Sequence, residues 1–285
     1  MNKEKIAILI DSCTDVPAKE IEQYGMYVIP LKIIYTDNVY TDGVDISAED
    51  IFSNFEKEIP KTSLPSGDEI LNVLKKIKTD GYEKVLTVCI SSGLSGTYNF
   101  IKLLGGEFEG LEFFAVDTKN IGIGSGMTAI LAAQNLERGM SWEELKTTTE
   151  KSVNDSKIFF CVATLEYLRK GGRIGLVASL IGERFDIKPI ISCNDDGVYY
   201  NVAKSMGRKR CLAKAMELAQ KFAEAGKSYN IAIAHGNAKE EAEEMKNIML
   251  EKLKNYKNIF MGQISPALVV HTGPGLIGVG IQLLT

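Results

Sequence analysis

The sequence contains few of the residues that metal sites and cysteine chemistry require. Its 285 residues include only two histidines and five cysteines, and no two cysteines follow C-x-x-C spacing. Because each candidate cluster holds at most one histidine, we expect no metal site. The scattered, odd-numbered cysteines predict buried reduced thiols rather than a disulfide framework. No clear carboxylate pair for general acid–base chemistry stands out either.

Long apolar runs and an excess of positive charge are also absent. No run approaches the roughly 18 apolar residues of a membrane span, and the first residues show no signal-peptide core. The 33 basic and 37 acidic side chains give a formal net charge of -4, which argues against broad nucleic-acid binding. We therefore expect a cytoplasmic protein with no integral membrane segment and no nucleic-acid partner.

The hydrophobic pattern predicts an α/β protein of two domains. In the first half, strand and helix signals alternate, which is typical of a mostly parallel sheet covered by helices. The second half contains a hairpin signal with Asp196-Gly197 in its turn, two long amphipathic helices, and further strand signals that include residues 267–270. We predict an N-terminal α/β domain over residues 1–155. An α+β domain with a mixed sheet follows over residues 156–285.

Four clusters of small polar or glycine residues stand where apolar runs end. In α/β folds, ligands bind at such positions. The clusters offer hydroxyl groups, backbone N–H groups, one guanidinium and one imidazole, a set that can hold an anion. They are Thr62-Ser63-Leu64-Pro65-Ser66, Ser91-Ser92-Gly93-Leu94-Ser95-Gly96-Thr97, Lys170-Gly171-Gly172-Arg173 and His271-Thr272-Gly273-Pro274-Gly275.

The serine-rich second cluster carries the strongest single signal. A strand over residues 84–90 leads into it, and a helix is predicted to begin at Ser95. The unpaired N–H groups of that helix start could bind an anion together with the Ser95 hydroxyl. Helix capping alone would explain one serine, but it does not explain so dense a serine–glycine run.

The other three clusters are weaker signals when each is taken alone. Ser66 can be a simple helix cap, and an arginine beside a glycine turn is commonly a surface residue. His271, which the pattern places at a strand end, could be a core histidine or a polar anchor for a ligand. His235 is a signal of the same kind.

Two of the clusters also match other known motifs in part. Residues 93–97 lack the second glycine of G-x-S-x-G because Thr97 occupies its place, so a serine acyl hydrolase or acyltransferase using Ser95 and His271 is a weaker alternative. Residues 273–278 formally match G-x-G-x-x-G. Pro274 interrupts that turn and no binding helix follows, which excludes a dinucleotide site.

The densest basic stretch consists of Lys204, Arg208, Lys209 and Arg210. These side chains could simply be exposed to solvent at the start of a helix, although cations at a helix N-terminus oppose the helix dipole. They could also dock an acidic partner. A lipid-sensing regulatory protein that acts through this surface is therefore a second alternative function.

The ordered set of motifs resembles the DegV family over essentially the whole chain. The resemblance begins at Ile10-Asp11-Ser12-Cys13-Thr14-Asp15, similar to the family's opening strand and D-S-x-x-D turn, and includes Val116-Asp117-Thr118 and the four clusters. Members of this family include the fatty-acid-binding subunits of bacterial fatty acid kinase. Two departures are Leu64, at a position that is more often polar, and Met206, where an arginine is common.

The resemblance implies a long-chain fatty acid buried between the two domains and no cofactor. Thr62 and Ser95 would bind its carboxylate, with Arg173 and His271 in the surrounding polar network, and we also expect Ser63 and Gly96 to contact it. The tunnel for the acyl chain is expected to use residues 121–130 and 176–181. A separate kinase subunit would dock on Lys204, Arg208, Lys209 and Arg210. It would phosphorylate the carboxylate with ATP, and the acyl phosphate would enter phospholipid synthesis.

Overall fold

Thirteen strands and ten α-helices are formed by the residues that the computed structural model describes, 2–180 and 187–284. The strands are β1 (Ile6–Asp11), β2 (Tyr27–Ile29), β3 (Lys32–Ile34), β4 (Val39–Thr41), β5 (Lys61–Ser63), β6 (Lys84–Cys89), β7 (Glu112–Asp117), β8 (Ser156–Cys161), β9 (Ile187–Cys193), β10 (Tyr199–Met206), β11 (Ser228–His235), β12 (Tyr256–Gln263) and β13 (Ile277–Leu284). The helices are α1 (Ala18–Tyr24), α2 (Ala48–Asn54), α3 (Gly67–Thr79), α4 (Thr97–Gly106), α5 (Ile123–Glu137), α6 (Trp142–Ser152), α7 (Glu166–Lys170), α8 (Arg208–Ala223), α9 (Lys239–Lys252) and α10 (Pro266–Thr272).

The first half of the chain builds a four-stranded parallel sheet in the order β2-β1-β6-β7. The chain leaves β1 toward one edge of the sheet and returns on the other side to β6, so the strand order reverses between these two strands. Ligands of open α/β sheets bind at such a switch point, beyond the carboxyl ends of the strands. The turn after β1 and the serine-rich loop after β6 both lie there.

A small antiparallel sheet, β4-β3-β5, is attached to the first half. The segment after α1 divides between the two sheets, because β2 joins the parallel sheet and β3 joins this small one. Thr62 and Ser63 are extended in β5, in which Thr62 pairs with Ile33.

The second half forms a six-stranded mixed sheet in the order β10-β9-β8-β13-β11-β12. Its pairs are antiparallel except for β11 with β12. The predicted hairpin is confirmed as β9 and β10, with Gly197 at φ 76° in the turn. The parallel sheet in the first half and the mixed sheet in the second confirm the predicted fold class.

The strand predicted over residues 267–270 is wrong, because these residues belong to helix α10. Every residue of α10 is buried, so the run Ala267-Leu268-Val269-Val270 has no polar face from which a helical period could be recognised. Pro266 occupies the first turn, where its missing N–H costs nothing, and Gly273 at φ 67° follows the helix end. His271 therefore stands in the last turn of a buried helix.

Helix α5 packs between the two large sheets. It contacts β1 and β6 of the parallel sheet as well as β8, β11 and β13 of the mixed sheet. Helix α5 lies very close to the turn after β1, since a Cβ on Gly126 would be only 2.4 Å from the backbone oxygen of Thr14. One continuous apolar core includes residues of both halves. The division of the chain at residues 155 and 156 stays a prediction.

Candidate functional site

A small cavity lies at the switch point, between the parallel sheet and helix α10. We call it the Arg173 cavity. Four of the predicted ligand contacts, Thr62, Ser95, Arg173 and His271, are brought together in its wall although they are up to 209 positions apart in the chain. Its remaining lining is mostly apolar and comprises Cys13, Leu31, Ile90, Leu94, Ile121, Tyr199, Ala267, Leu268 and Thr272.

Thr62 and His271 form a hydrogen bond across the wall of this cavity. Thr62 Oγ1 lies 2.7 Å from His271 Nε2, which links β5 to α10. Burial lowers the pKa of His271 to about 4, and the nearby Arg173 charge contributes in the same direction. The ring is therefore neutral at pH 7. Its Nδ1 is buried without a hydrogen-bond partner among the described residues, so no carboxylate in that part of the chain orients the imidazole.

Arg173 supplies the positive charge of the cavity. Its guanidinium donates from Nη1 to the Gly171 oxygen at 2.7 Å and from Nε to the Leu94 oxygen at 3.4 Å. Both acceptors are neutral backbone groups, and within the described residues no carboxylate pairs with Arg173. The guanidinium thus remains able to pair with a carboxylate or phosphate of a ligand.

Ser95 lies in the loop that precedes α4. That helix begins at Thr97, two residues later than predicted, with Gly96 as its N-cap. Ser95 Oγ lies 2.8 Å from Thr97 Oγ1 and accepts from the Thr97 backbone N–H at 3.3 Å. The loop is held by the second half, because Ser91 Oγ donates to the Gly197 oxygen at 2.8 Å. A Cβ on Gly93 would lie 2.7 Å from the oxygen of Asp196, which explains a glycine there.

Two predicted contacts, Ser63 and Gly96, are not among the lining residues of the Arg173 cavity. The hydroxyl of Ser63 donates to the Leu64 oxygen at 3.3 Å, a local contact within the loop. Gly96 caps α4, and a Cβ there would meet the Leu64 side chain at 3.5 Å. His235 also lies elsewhere, at the end of β11.

A second small cavity, more apolar than the first, adjoins it. We call it the Asp15 cavity. The two cavities share four lining residues, Ile121, Tyr199, Leu268 and Thr272. The other lining residues of the Asp15 cavity are Asp15, Gly122, Ile123, Ile158, Phe160, Ala234, Ile264 and Leu276. Of the predicted tunnel segments, residues 121–123 contribute to these walls. Residues 176–180 line neither cavity, and residue 181 lies outside the described residues.

Two carboxyl groups of the first half hold the start of helix α10. Asp15 Oδ1 accepts from the Ser265 backbone N–H at 3.0 Å, and Asp42 Oδ1 accepts from that of Ala267 at 2.9 Å. Burial raises the pKa of both groups, and that of Asp15 reaches about 8. These contacts fix the helix that carries Leu268 and His271. Sequence reasoning noted Asp15 only as part of a turn motif and missed both this role and its place in a cavity wall.

Asp11, the other carboxyl group of the D-S-x-x-D turn, stabilises the loops at the switch point. It is fully buried and accepts from the backbone N–H groups of Cys13 and Ile90, at 2.9 and 2.8 Å. These two bonds join the loops after β1 and β6. Burial raises the pKa of Asp11 to about 7.

The predicted docking residues lie along β10 and at the start of α8. Lys204, Lys209 and Arg210 are exposed. Arg208 is committed to its own chain, because its Nε and Nη2 donate to the two carboxylate oxygens of Glu241 at 2.8 and 2.5 Å. This pair ties α8 to α9 and offsets the unfavourable placement of a cation at a helix start.

Residues 2–180 and 187–284 contain neither a metal-binding cluster nor a membrane-spanning helix. No group of three or more histidine, cysteine or acidic side chains that could hold a metal ion was found there. No helix in that part of the chain is long and apolar enough to cross a membrane.

Comparison with known proteins assigns the family. Residues 5–283 match the model of a family described as uncharacterised protein, DegV family. A DegV domain-containing protein of Clostridium perfringens is 40% identical, over 98% of this chain and 99% of its own. The solved structure of a fatty-acid-binding DegV family protein from Thermus thermophilus superposes with a TM-score of 0.92 at 26% identity, covering 100% of both chains. A stearic-acid-binding protein from Eubacterium ventriosum superposes with a TM-score of 0.87 at 25% identity, covering 98% of both. This chain therefore belongs to the DegV family.

Proposed function

We propose that this protein binds a long-chain fatty acid, with the carboxylate in the Arg173 cavity and the acyl chain in the Asp15 cavity. The main observation behind the proposal is that two cavities adjoin each other and share lining residues. One contains a charged group and hydroxyl groups, and the other is apolar. The fatty acids bound by the Thermus thermophilus and Eubacterium ventriosum relatives support this ligand class.

The polar wall matches the needs of a buried carboxylate. Burying a carboxylate is costly unless charge and hydrogen bonds compensate it. Arg173 provides the charge, and the hydroxyl groups of Thr62 and Ser95 line the same cavity. Neutral His271 can bond an oxygen without adding a second positive charge. For the acyl chain, each CH₂ group removed from water contributes about 0.8 kcal/mol, so tight binding needs no covalent bond.

The geometry disfavours the alternative of a serine hydrolase or acyltransferase. A catalytic serine needs a base within hydrogen-bonding reach, and that base needs an orienting partner. Ser95 Oγ bonds Thr97, and His271 Nε2 bonds Thr62. Since His271 Nδ1 also has no partner within residues 2–180 and 187–284, these residues assemble no nucleophile–base–acid relay. We accordingly propose a binding protein without a catalytic residue or cofactor of its own.

Carboxylate recognition can be tested by titrating lipid-free protein with palmitate and with hexadecanol, which has the same chain length but no charge. Palmitate is expected to bind at least tenfold more tightly, because only its head group can pair with Arg173. Isothermal titration calorimetry measures both affinities. Equal affinities would contradict carboxylate recognition, and binding of neither ligand would contradict the proposed function.

A more specific proposal concerns a protein partner that acts on the bound fatty acid. We propose that the bound carboxylate is presented to a separate kinase subunit, which transfers a phosphoryl group from ATP to a carboxylate oxygen and releases ADP and an acyl phosphate for phospholipid synthesis. The exposed cations Lys209 and Arg210 support an acidic docking partner. A cytoplasmic location remains a prediction, with which the five buried, unpaired cysteines agree.

Reversing the charge at the proposed docking surface is expected to impair acyl phosphate formation without impairing fatty acid binding. The double variant Lys209→Glu, Arg210→Glu should bind palmitate normally, because neither residue lines the two cavities. With the organism's fatty acid kinase, its rate of acyl phosphate formation at subsaturating kinase should fall at least tenfold, since like charges then face an acidic partner. Lys221→Glu, an exposed change in the last turn of the same helix, is the control. An unchanged rate in the double variant would exclude this docking surface.

A further inference from the structure

The junction of the two cavities contains a side-chain hydroxyl group without a hydrogen-bond partner in the described part of the chain. Of the four residues that line both cavities, only Tyr199 and Thr272 carry a hydroxyl group. Thr272 Oγ1 donates to the Leu268 oxygen at 2.9 Å, so it is committed to its own helix. Tyr199 is only 4% exposed, yet its hydroxyl group makes no hydrogen bond within residues 2–180 and 187–284. Buried tyrosine hydroxyls usually find a partner, so this one is available to a molecule that enters the cavities.

The ring of Tyr199 is packed on both its backbone and its side chain, so its hydroxyl group is held in a defined position. Tyr199 begins β10 and pairs with Cys193 of β9. Its ring packs edge-on against that of Phe160, with the ring centroids 5.2 Å apart, and Phe160 lines the Asp15 cavity. The backbone is equally confined, since a Cβ on Gly175 would lie 2.7 Å from the Tyr199 backbone oxygen. Such preorganisation lowers the entropy cost of a hydrogen bond to a ligand.

The hydroxyl group of Tyr199 is a hydrogen-bond donor close to the Arg173 charge. A phenylalanine would fill the same wall without an unpaired hydroxyl group, so filling space does not account for a tyrosine here. Burial raises the pKa of Tyr199 well above its usual range, which keeps the phenol protonated at neutral pH. The charge of Arg173 opposes this rise in pKa, as expected for two groups that line the same cavity. A protonated phenol near a cation can donate to an anionic oxygen that the cation also attracts.

We propose that the Tyr199 hydroxyl group donates a hydrogen bond to the carboxylate of the bound fatty acid and positions this head group at the junction of the two cavities. Arg173, Thr62 and Ser95 then bind the carboxylate from within the Arg173 cavity, and Tyr199 binds it from the wall that both cavities share. Held between Arg173 and Tyr199, the head group directs the acyl chain into the Asp15 cavity. This inference rests on the proposed function and adds a positioning residue to it.

The test compares lipid-free wild-type protein with Tyr199→Phe, which removes one oxygen atom and keeps the ring. Titration calorimetry should show palmitate affinity falling about tenfold or more, the effect expected for one hydrogen bond to a charged group. Without ligand, the free energy of unfolding should not fall, because the variant loses no hydrogen bond to the described residues. Tyr35→Phe is the matched control. The Tyr35 hydroxyl group is also buried without a partner in the described part of the chain, but it lines neither cavity, so palmitate affinity should not change.

Infrared spectroscopy of bound palmitate, labelled with ¹³C at its carboxyl carbon, separates a direct hydrogen bond from a change in cavity shape. Loss of a donor to the carboxylate should shift its stretching band in Tyr199→Phe, and the band should stay in place in Tyr35→Phe. If palmitate affinity is unchanged in Tyr199→Phe, or falls without a shift of this band, the inference is overturned while the proposed function stands. If wild-type protein does not bind palmitate, both fail.

Discussion

Replacing Arg173 with alanine is expected to lower palmitate affinity roughly 100-fold. The reason is that the carboxylate would remain in a mostly apolar cavity without the Arg173 charge, and leaving a buried charge unpaired costs about 3 kcal/mol or more. Titration calorimetry on lipid-free protein gives the affinity. The fold should tolerate the change, because the two hydrogen bonds that Arg173 makes go to backbone oxygens and contribute about 1 kcal/mol each.

Two controls separate charge recognition from general damage. Arg169→Ala removes an exposed arginine of α7, four residues away, that lines neither cavity, and palmitate affinity should not change. Hexadecanol affinity should be nearly the same for wild type and Arg173→Ala, since the alcohol carries no charge. An equal loss of hexadecanol and palmitate affinity would show that Arg173 shapes the cavity rather than pairs with the carboxylate.

Replacing Gly171 with alanine is expected to disrupt the site through His271. A Cβ at position 171 would lie 2.1 Å from His271 Nδ1, far inside van der Waals contact, so the imidazole must move and its 2.7 Å bond to Thr62 must break. Because Gly171 has a right-handed backbone with φ -77°, the effect is steric rather than conformational. We expect palmitate affinity to fall at least tenfold. Forcing an extra methyl group into packed surroundings should also reduce the free energy of unfolding by about 1–3 kcal/mol.

The neighbouring glycine provides a matched control. At Gly172 a Cβ would meet no atom within 4 Å, but φ is 70°, so alanine there costs only backbone strain of about 1 kcal/mol. Gly172→Ala should therefore lower the melting temperature slightly and leave palmitate affinity unchanged. If the two variants lost affinity equally, the contact between Gly171 and His271 would not be the cause.

Most of the architecture could be predicted because its hydrophobic periods are clear. The alternating strands and helices of the first half and the hairpin with Asp196-Gly197 in its turn all lie where the pattern indicated. Helix α10 could not be predicted, since a helix buried on every side carries no amphipathic period. The short strands β3 and β4 were also hidden, because three residues are too few to show alternation.

The candidate site was predictable only where its residues form recognisable motifs. Thr62, Ser95, Arg173 and His271 stand in glycine or hydroxyl clusters, and the family resemblance selected them from weaker individual signals. Tyr199 and Leu268 also line both cavities, yet nothing in their local sequence distinguishes them from ordinary core residues. Arg208 could be assigned to docking from its charge, but its partner Glu241 lies 33 residues away and is revealed only by the fold.

The measurement that tests the central claim most directly is mass spectrometry of the protein purified from a bacterial host, under native and then denaturing conditions. A fatty acid held by Arg173, the hydroxyl groups and an apolar cavity is bound without a covalent bond. We therefore predict a native mass increment equal to one long-chain fatty acid that disappears on denaturation and is absent from Arg173→Ala. An increment that survives denaturation would contradict non-covalent binding and indicate an acyl ester on Ser95. No increment from host lipid, followed by no binding of added palmitate, would contradict fatty acid binding itself.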